Sequence, residues 1–146
     1  MAESFCLVQY QTDPDGHLLE GDSEIIEDVY VSPSLLAEVI KQWPLIERGV
    51  LEELGGNSFK IRCFDDASVK EAKSWLEDQF IRMVCDSQLA FNSQGDYYSD
   101  TCPRVLMRDD IDRVIEKFRY LTNLINLFRI KIEKYNEDTS VIIRLV

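Results

Sequence analysis

The chain has 146 residues, 45% of them hydrophobic and 29% charged, which suits one domain with a core of its own and excludes disorder as a description of the whole. Its formal net charge of −11 weighs against direct nucleic-acid binding, because phosphate neutralisation needs a basic surface. No stretch approaches the roughly 20 uncharged apolar residues that cross a bilayer, and the N-terminus lacks a basic segment followed by a long apolar run, so neither membrane span nor signal peptide is expected and the cytoplasm is the default location.

Residues 4–11 alternate Phe5, Leu7 and Gln9 against Cys6, Val8 and Tyr10. Both sets are largely apolar, which predicts a strand covered on both faces. Asp13, Pro14, Asp15 and Gly16 are turn chemistry, with proline presetting one dihedral and glycine permitting a positive one. Residues 17–24 read as an exposed loop and 25–31 as a second strand, hairpinned to the first through a long connection. Ser32 and Pro33 supply a cap and a first helical residue, after which Leu36, Val39, Ile40 and Trp43 share a helical face and Pro44 breaks the run. Ile46, Val50 and Leu54, spaced by four, predict a second short helix stopped at Gly55 and Gly56. Residues 58–64 alternate and read as a strand.

Asp66 or Ser68 opens the next helix, Ser68 with Glu71 forming a capping box. Its buried stripe is Val69, Ala72, Leu76, Phe80 and Met83, with Trp75 on the flank. Residues 91–103 have no periodicity and predict a loop, and residues 104–107 a short edge strand. Asp109 or Asp110 caps the longest helix, whose Ile111, Val114, Phe118, Leu121, Ile125, Phe128, Ile132 and Tyr135 form a seam in steps of three and four. Tyr120, Leu124, Leu127 and Ile130 lie away from that seam, so this helix must bury two sides, within the fold or against another subunit. Helix is favoured over strand for residues 128–135, although Phe128, Ile130 and Ile132 also alternate. Residues 140–146 close the chain as a strand with Val141, Ile143 and Leu145 on one face. The order predicts a single α+β domain spanning residues 1–146, a small mostly antiparallel sheet with about four helices packed on it.

Chemistry-bearing motifs are sparse. Cys6, Cys63, Cys85 and Cys102 are far apart, with no C-x-x-C pair, and read as reduced thiols. Cys6, Cys63 and Cys85 sit in apolar runs where a small buried residue fits. The single histidine, His17, sits in an acidic turn. There is no P-loop, no G-x-G-x-x-G and no H-E-x-x-H. Asp13, Asp15, His17 and Glu24 match positions 1, 3, 5 and 12 of a calcium loop, yet Leu18 stands where that loop needs glycine. No cofactor, no metal and no catalytic residue is expected.

The charge is unevenly placed. Residues 1–40 contain nine acids and no lysine or arginine, whereas residues 104–134 contain eight bases against five acids. Either the acidic segment meets a basic partner, or it keeps the chain in solution and faces the basic helix within the fold. The first reading makes Asp13, Asp15, Glu20, Asp22 and Glu24 partner-binding residues, joined by Asp96, Tyr97, Tyr98 and Asp100 of the aromatic loop. The function expected is a non-enzymatic protein–protein interaction module of inhibitor, immunity or adaptor type, acting on a basic surface. The alternative is a structural subunit or homodimer assembled through Tyr120, Leu124 and Leu127, and a third is a carboxylate- or metal-dependent enzyme.

Overall fold

The computed structural model describes residues 3–52, 57–92 and 108–146, and their side chains except those of 86–92 and 108–114. Five strands, β1 (Glu3–Thr12), β2 (Leu18–Val31), β3 (Ile46–Leu51), β4 (Ser58–Cys63) and β5 (Val141–Leu145), close into a barrel in that order. Three α-helices accompany them among the described residues: α1 (Pro33–Gln42), α2 (Val69–Asn92) and α3 (Arg108–Lys134), with a 3-10 turn Asp66–Ser68 leading into α2. The expected open sheet with about four helices is therefore corrected to a closed five-stranded barrel with three.

Two stretches account for the difference. The expected helix at Ile46 is strand β3, antiparallel to β4 from Ile46↔Cys63 to Leu51↔Ser58. A spacing of four is even, so Ile46 and Val50 share a strand face as readily as a helix face. Gly49, a poor helix former, and β-branched Val50 fit the strand. Residues 18–24, expected as loop, belong to β2. The hairpin connection is then only residues 13–17, closed by the pair Thr12↔Leu18. It is held by Asp13 N–H donating to the His17 carbonyl at 3.0 Å and Gly16 N–H to the Asp13 carbonyl at 2.9 Å, with Gly16 at φ +85°.

β2 is bent. Between the pairs Gln9↔Glu24 and Gln11↔Leu19, Tyr10 alone stands opposite residues 20–23, and a second register shift follows at Leu7/Val8. Bulges of this kind turn a strand around a barrel corner. Here the bend swings Leu18 and Leu19 onto β3, in the parallel pairs Leu18↔Val50 and Leu19↔Leu51. That two-pair ladder is the whole of the β2–β3 seam.

β1, paired with β2 on one edge and β5 on the other, divides the core. Cys6, Val8 and Tyr10 point into the barrel with Leu18, Val50, Ile61, Cys63 and Ile142. Phe5 and Leu7 point outward with Val29, Val31, Val141 and Ile143, under Leu36 and Val39 of α1, Ala72 and Leu76 of α2, and Leu121, Leu124, Leu127 and Phe128 of α3. The doubly apolar pattern of β1 thus reports two cores, one inside the barrel and one beneath the helices. Phe64 belongs to the core beneath the helices, its ring 5.3 Å from Phe5 and 4.9 Å from Phe128. Trp43 on Trp75 and Phe80 on Phe118, at 5.5 and 5.4 Å, tie α1 to α2 and α2 to α3.

The helix ends follow local chemistry. Ser32 Oγ accepts from Leu35 N–H with Pro33 in the first turn, as expected. Asp65 caps the 3-10 turn ahead of α2, accepting from Ala67 N–H at 3.2 Å, and Ser68 directly precedes Val69, the first residue of α2. Residues 128–134 are helical. α2 runs through residues 91 and 92, the start of the expected loop. The rest of that loop, residues 104–107 and the glycines at 55 and 56 lie outside the described residues.

Candidate functional site

The expected partner-binding acids do not act alike. Asp13 organises the hairpin tip: its Oδ1 accepts from the backbone N–H groups of Asp15 at 3.0 Å and His17 at 2.7 Å, and its Oδ2 lies 3.1 Å from His17 Nδ1. Burial raises the Asp13 carboxyl, but the hydrogen bonds from His17 and Asp15 outweigh it and hold the group below the ordinary carboxylate range. Ligating atoms of Asp13, Asp15 and His17 lie within 4.8 Å of one another. The turn's own hydrogen bonds account for that convergence without an ion.

Glu20 turns inward. Its Oε2 is 3.8 Å from Arg144 Nη1, and Arg144 Nη1 donates to Tyr10 Oη at 3.0 Å. The guanidinium also lies 5.9 Å from the centre of the Phe59 ring. Glu20 Oε2 and Arg144 Nε are both buried without a hydrogen-bond partner among the described residues. Around this group runs a row set by strand register, Asp28 beside Cys6, Cys6 beside Arg144 and Arg144 beside Cys63. Cys6 Sγ donates to Asp28 Oδ1 at 3.4 Å. Burial first, then the neighbouring Asp28, pushes the Cys6 thiol up to about 11; burial, outweighing the nearby Arg48, pushes Cys63 up to about 11 as well. Such thiols are poor nucleophiles. Cys85, expected to be buried, is exposed.

Arg144 was missed because it closes an apolar run. The signal was its parity: Val141, Ile143 and Leu145 share one face, so Ile142 and Arg144 share the other, which is the barrel interior.

Lys131, counted as part of a basic helix, is also internal at 3% exposure. Its Nζ donates to the carbonyls of Tyr135 at 3.0 Å and Asp138 at 2.6 Å, and sits 3.7 Å from Asp66 Oδ1. It ties the C-terminal end of α3, where Glu137 takes a left-handed φ of 63°, to the start of α2. Burial lowers its pKa in spite of Asp66 and Asp138. A cavity of about 270 Å³ opens beside it, lined by residues that include Asp66, Lys70 and Glu137.

Asp15 of the hairpin turn and Asp22 and Glu24 of β2 remain exposed, as do Glu27 and Asp28 further along β2. Among the described residues none of the five makes an ion pair within 4.0 Å, whereas Asp13 and Glu20 do. The acidic strand does face the basic helix: Glu27, Asp28, Val29 and Tyr30 of β2 line a groove of about 350 Å³ with Asn123, Asn126, Arg129 and Ile130 of α3. Ile25, two residues before Glu27 on β2, is 64% exposed.

Asp96, Tyr97, Tyr98 and Asp100 lie outside the described residues. Of the expected oligomer interface, Leu124 and Leu127 are 0% exposed within the subunit, because the barrel wall and α2 cover both sides of α3. Tyr120 is half-buried, its ring 5.1 Å from that of Tyr30 and its hydroxyl donating to Glu116 Oε1 at 2.6 Å. Only Tyr120 of the three retains surface for a partner. No described helix is long and apolar enough to cross a membrane. No family model, curated protein or solved structure matches this chain.

Proposed function

We propose that this protein is a non-enzymatic interaction module that docks on a basic protein surface, as an inhibitor, immunity or adaptor protein does. The observation that carries the reading is the division of labour among the N-terminal acids. Asp13 and Glu20 have internal partners, while Asp15, Asp22, Glu24, Glu27 and Asp28 stand exposed along one hairpin arm with no counter-charge within 4.0 Å among the described residues. An uncompensated field of one sign raises the encounter rate with a partner of the other sign and sets its orientation. Ile25, 64% exposed within that field, supplies an apolar contact once the charges have brought the surfaces together.

The test reverses Asp15, Asp22 and Glu24 to lysine together, leaving Asp13 and Glu20 untouched because they belong to the fold. Wild type and triple variant serve as baits in native extracts, and the association rate with the captured partner is measured between 50 and 300 mM salt. The reading expects association to slow by about tenfold or more and its salt dependence to flatten. An unchanged rate and salt slope would remove the acidic arm from the function.

A further inference from the structure

The bend that closes the barrel also leaves one edge of β2 without a neighbouring strand among the described residues. Residues 24–31 pair with β1 on one side. On the other side β3 reaches only Leu18 and Leu19, and no further strand among the described residues joins β2. Alternate backbone N–H and C=O groups of residues 27–31, the run beyond the register shift at Leu7/Val8, therefore face away from β1 with no ladder among the described residues. An edge of this kind is a template for another extended chain.

We propose that this edge of β2 accepts an extended basic segment of the partner protein as an added strand. The inference rests on the interaction reading above and names the chemistry of what docks. Charge selects the occupant. Glu24, Glu27 and Asp28 are exposed along the edge, and among the described residues Arg129 is the one base lining the groove beside it. A second copy of this chain would bring the same acids against themselves, and like charges on directly opposed strands are destabilising. A segment with lysine or arginine at alternating positions meets opposite charges instead. Asn123 and Asn126, on the α3 wall of the groove, present amide donors and acceptors to such a segment. Ile25, at 64% exposure, and half-buried Ile130 offer apolar contacts for its intervening side chains.

The test uses the full chain, ¹⁵N-labelled, and a synthetic eight-residue peptide of alternating lysine and valine, with amide hydrogen exchange read residue by residue at low salt. In the free protein, alternate amides of residues 27–31 are expected to exchange at least tenfold faster than their neighbours bonded to β1. Saturating peptide is expected to slow that alternate set at least tenfold, with the effect lost when Glu24 and Glu27 are changed to glutamine. Fast exchange that persists with peptide bound would overturn strand addition while leaving an acidic docking surface in place. Failure of the peptide to bind would overturn it as well, as would an edge already protected in the free protein. The interaction reading stands or falls separately, on the association rate of the charge-reversed arm.

Discussion

Glu20 Oε2 lies 3.8 Å from Arg144 Nη1, although the two residues belong to a hairpin dense in acids and to an otherwise apolar closing strand. The pair is half-exposed, with side chains at 38% and 24%, so its Coulombic contribution is screened and modest. Its importance lies in what replaces it. Lysine at position 20 sets two cations beside Tyr10 and leaves Arg144 without a counter-charge. Glu20→Lys is therefore expected to cost about 1–3 kcal/mol. Asp22→Lys and Glu24→Lys, two exposed neighbours on the same strand, are expected to stay within about 0.5 kcal/mol. Urea unfolding of the three variants decides the point, and equal losses would show that Glu20 is one more surface acid.

Lys131 poses the reverse problem, a buried charge on a helix whose other bases include exposed Lys117, Arg119 and Arg129. Truncation by Lys131→Ala removes the donor to the Tyr135 and Asp138 carbonyls and the packed aliphatic stem, and is expected to cost more than Lys131→Met, which keeps the stem. The pH dependence has a definite sign. The folded pKa is lowered, chiefly by burial, so just below the ordinary lysine range the unfolded chain holds a proton that the folded one has released. Stability from this group therefore rises with pH across that interval. Subtracting the stability–pH profile of Lys131→Met from that of wild type should leave a positive slope there. A flat difference would mean that Lys131 titrates as a surface lysine does.

How far the sequence carried the reading depended on the period of each pattern. α1, the stripe Val69, Ala72 and Leu76 of α2, and the two-sided character of α3 were legible because a step of three combined with a step of four keeps one face in a helix and not in a strand. β1 was legible as a doubly covered strand, though not as the wall between two cores. β3 was misread because the step from Ile46 to Val50 is common to both periods. The first half of β2 was missed because the bend at residues 20–23 exposes Gly21 and Asp22 and interrupts alternation. Barrel closure was not legible at all, since it depends on short ladders between residues distant in sequence, Leu18↔Val50 and Leu19↔Leu51 on one seam and Cys63↔Arg144 on another. The candidate acids were visible as a charge run, but their sorting into internal and exposed groups needed Arg144, hidden by its apolar neighbours.

The placement of Leu127 bears on self-association. At 0% exposure it packs inside the subunit, so Leu127→Ala is expected to cost about 2–5 kcal/mol through lost burial and a residual cavity. Ile25→Ala, at a 64% exposed position, is expected to remain within about 0.5 kcal/mol. Light scattering at matched concentration should give the same mass for wild type and for folded Leu127→Ala. A change of mass with little loss of stability would return Leu127 to an interface.

The cysteines give the last test, because their register forbids one outcome and their surroundings order the others. Cys6 and Cys63 both pair with Arg144 of β5, one on each side. Two interstrand steps of about 4.8 Å separate them, beyond the roughly 7 Å limit for a disulfide. Oxidation of the native protein is therefore expected to leave them unlinked. With pKa values pushed up to about 11, each is thiolate in roughly one molecule in a thousand at pH 8, and both are buried, whereas Cys85 is exposed. A thiol reagent at pH 8, read by peptide mass spectrometry, should label Cys85 in the native state and reach Cys6 and Cys63 only as urea unfolds the chain. Labelling of Cys6 at the native rate of Cys85 would place that thiol outside the barrel, and with it the register that sets Arg144 between the two cysteines.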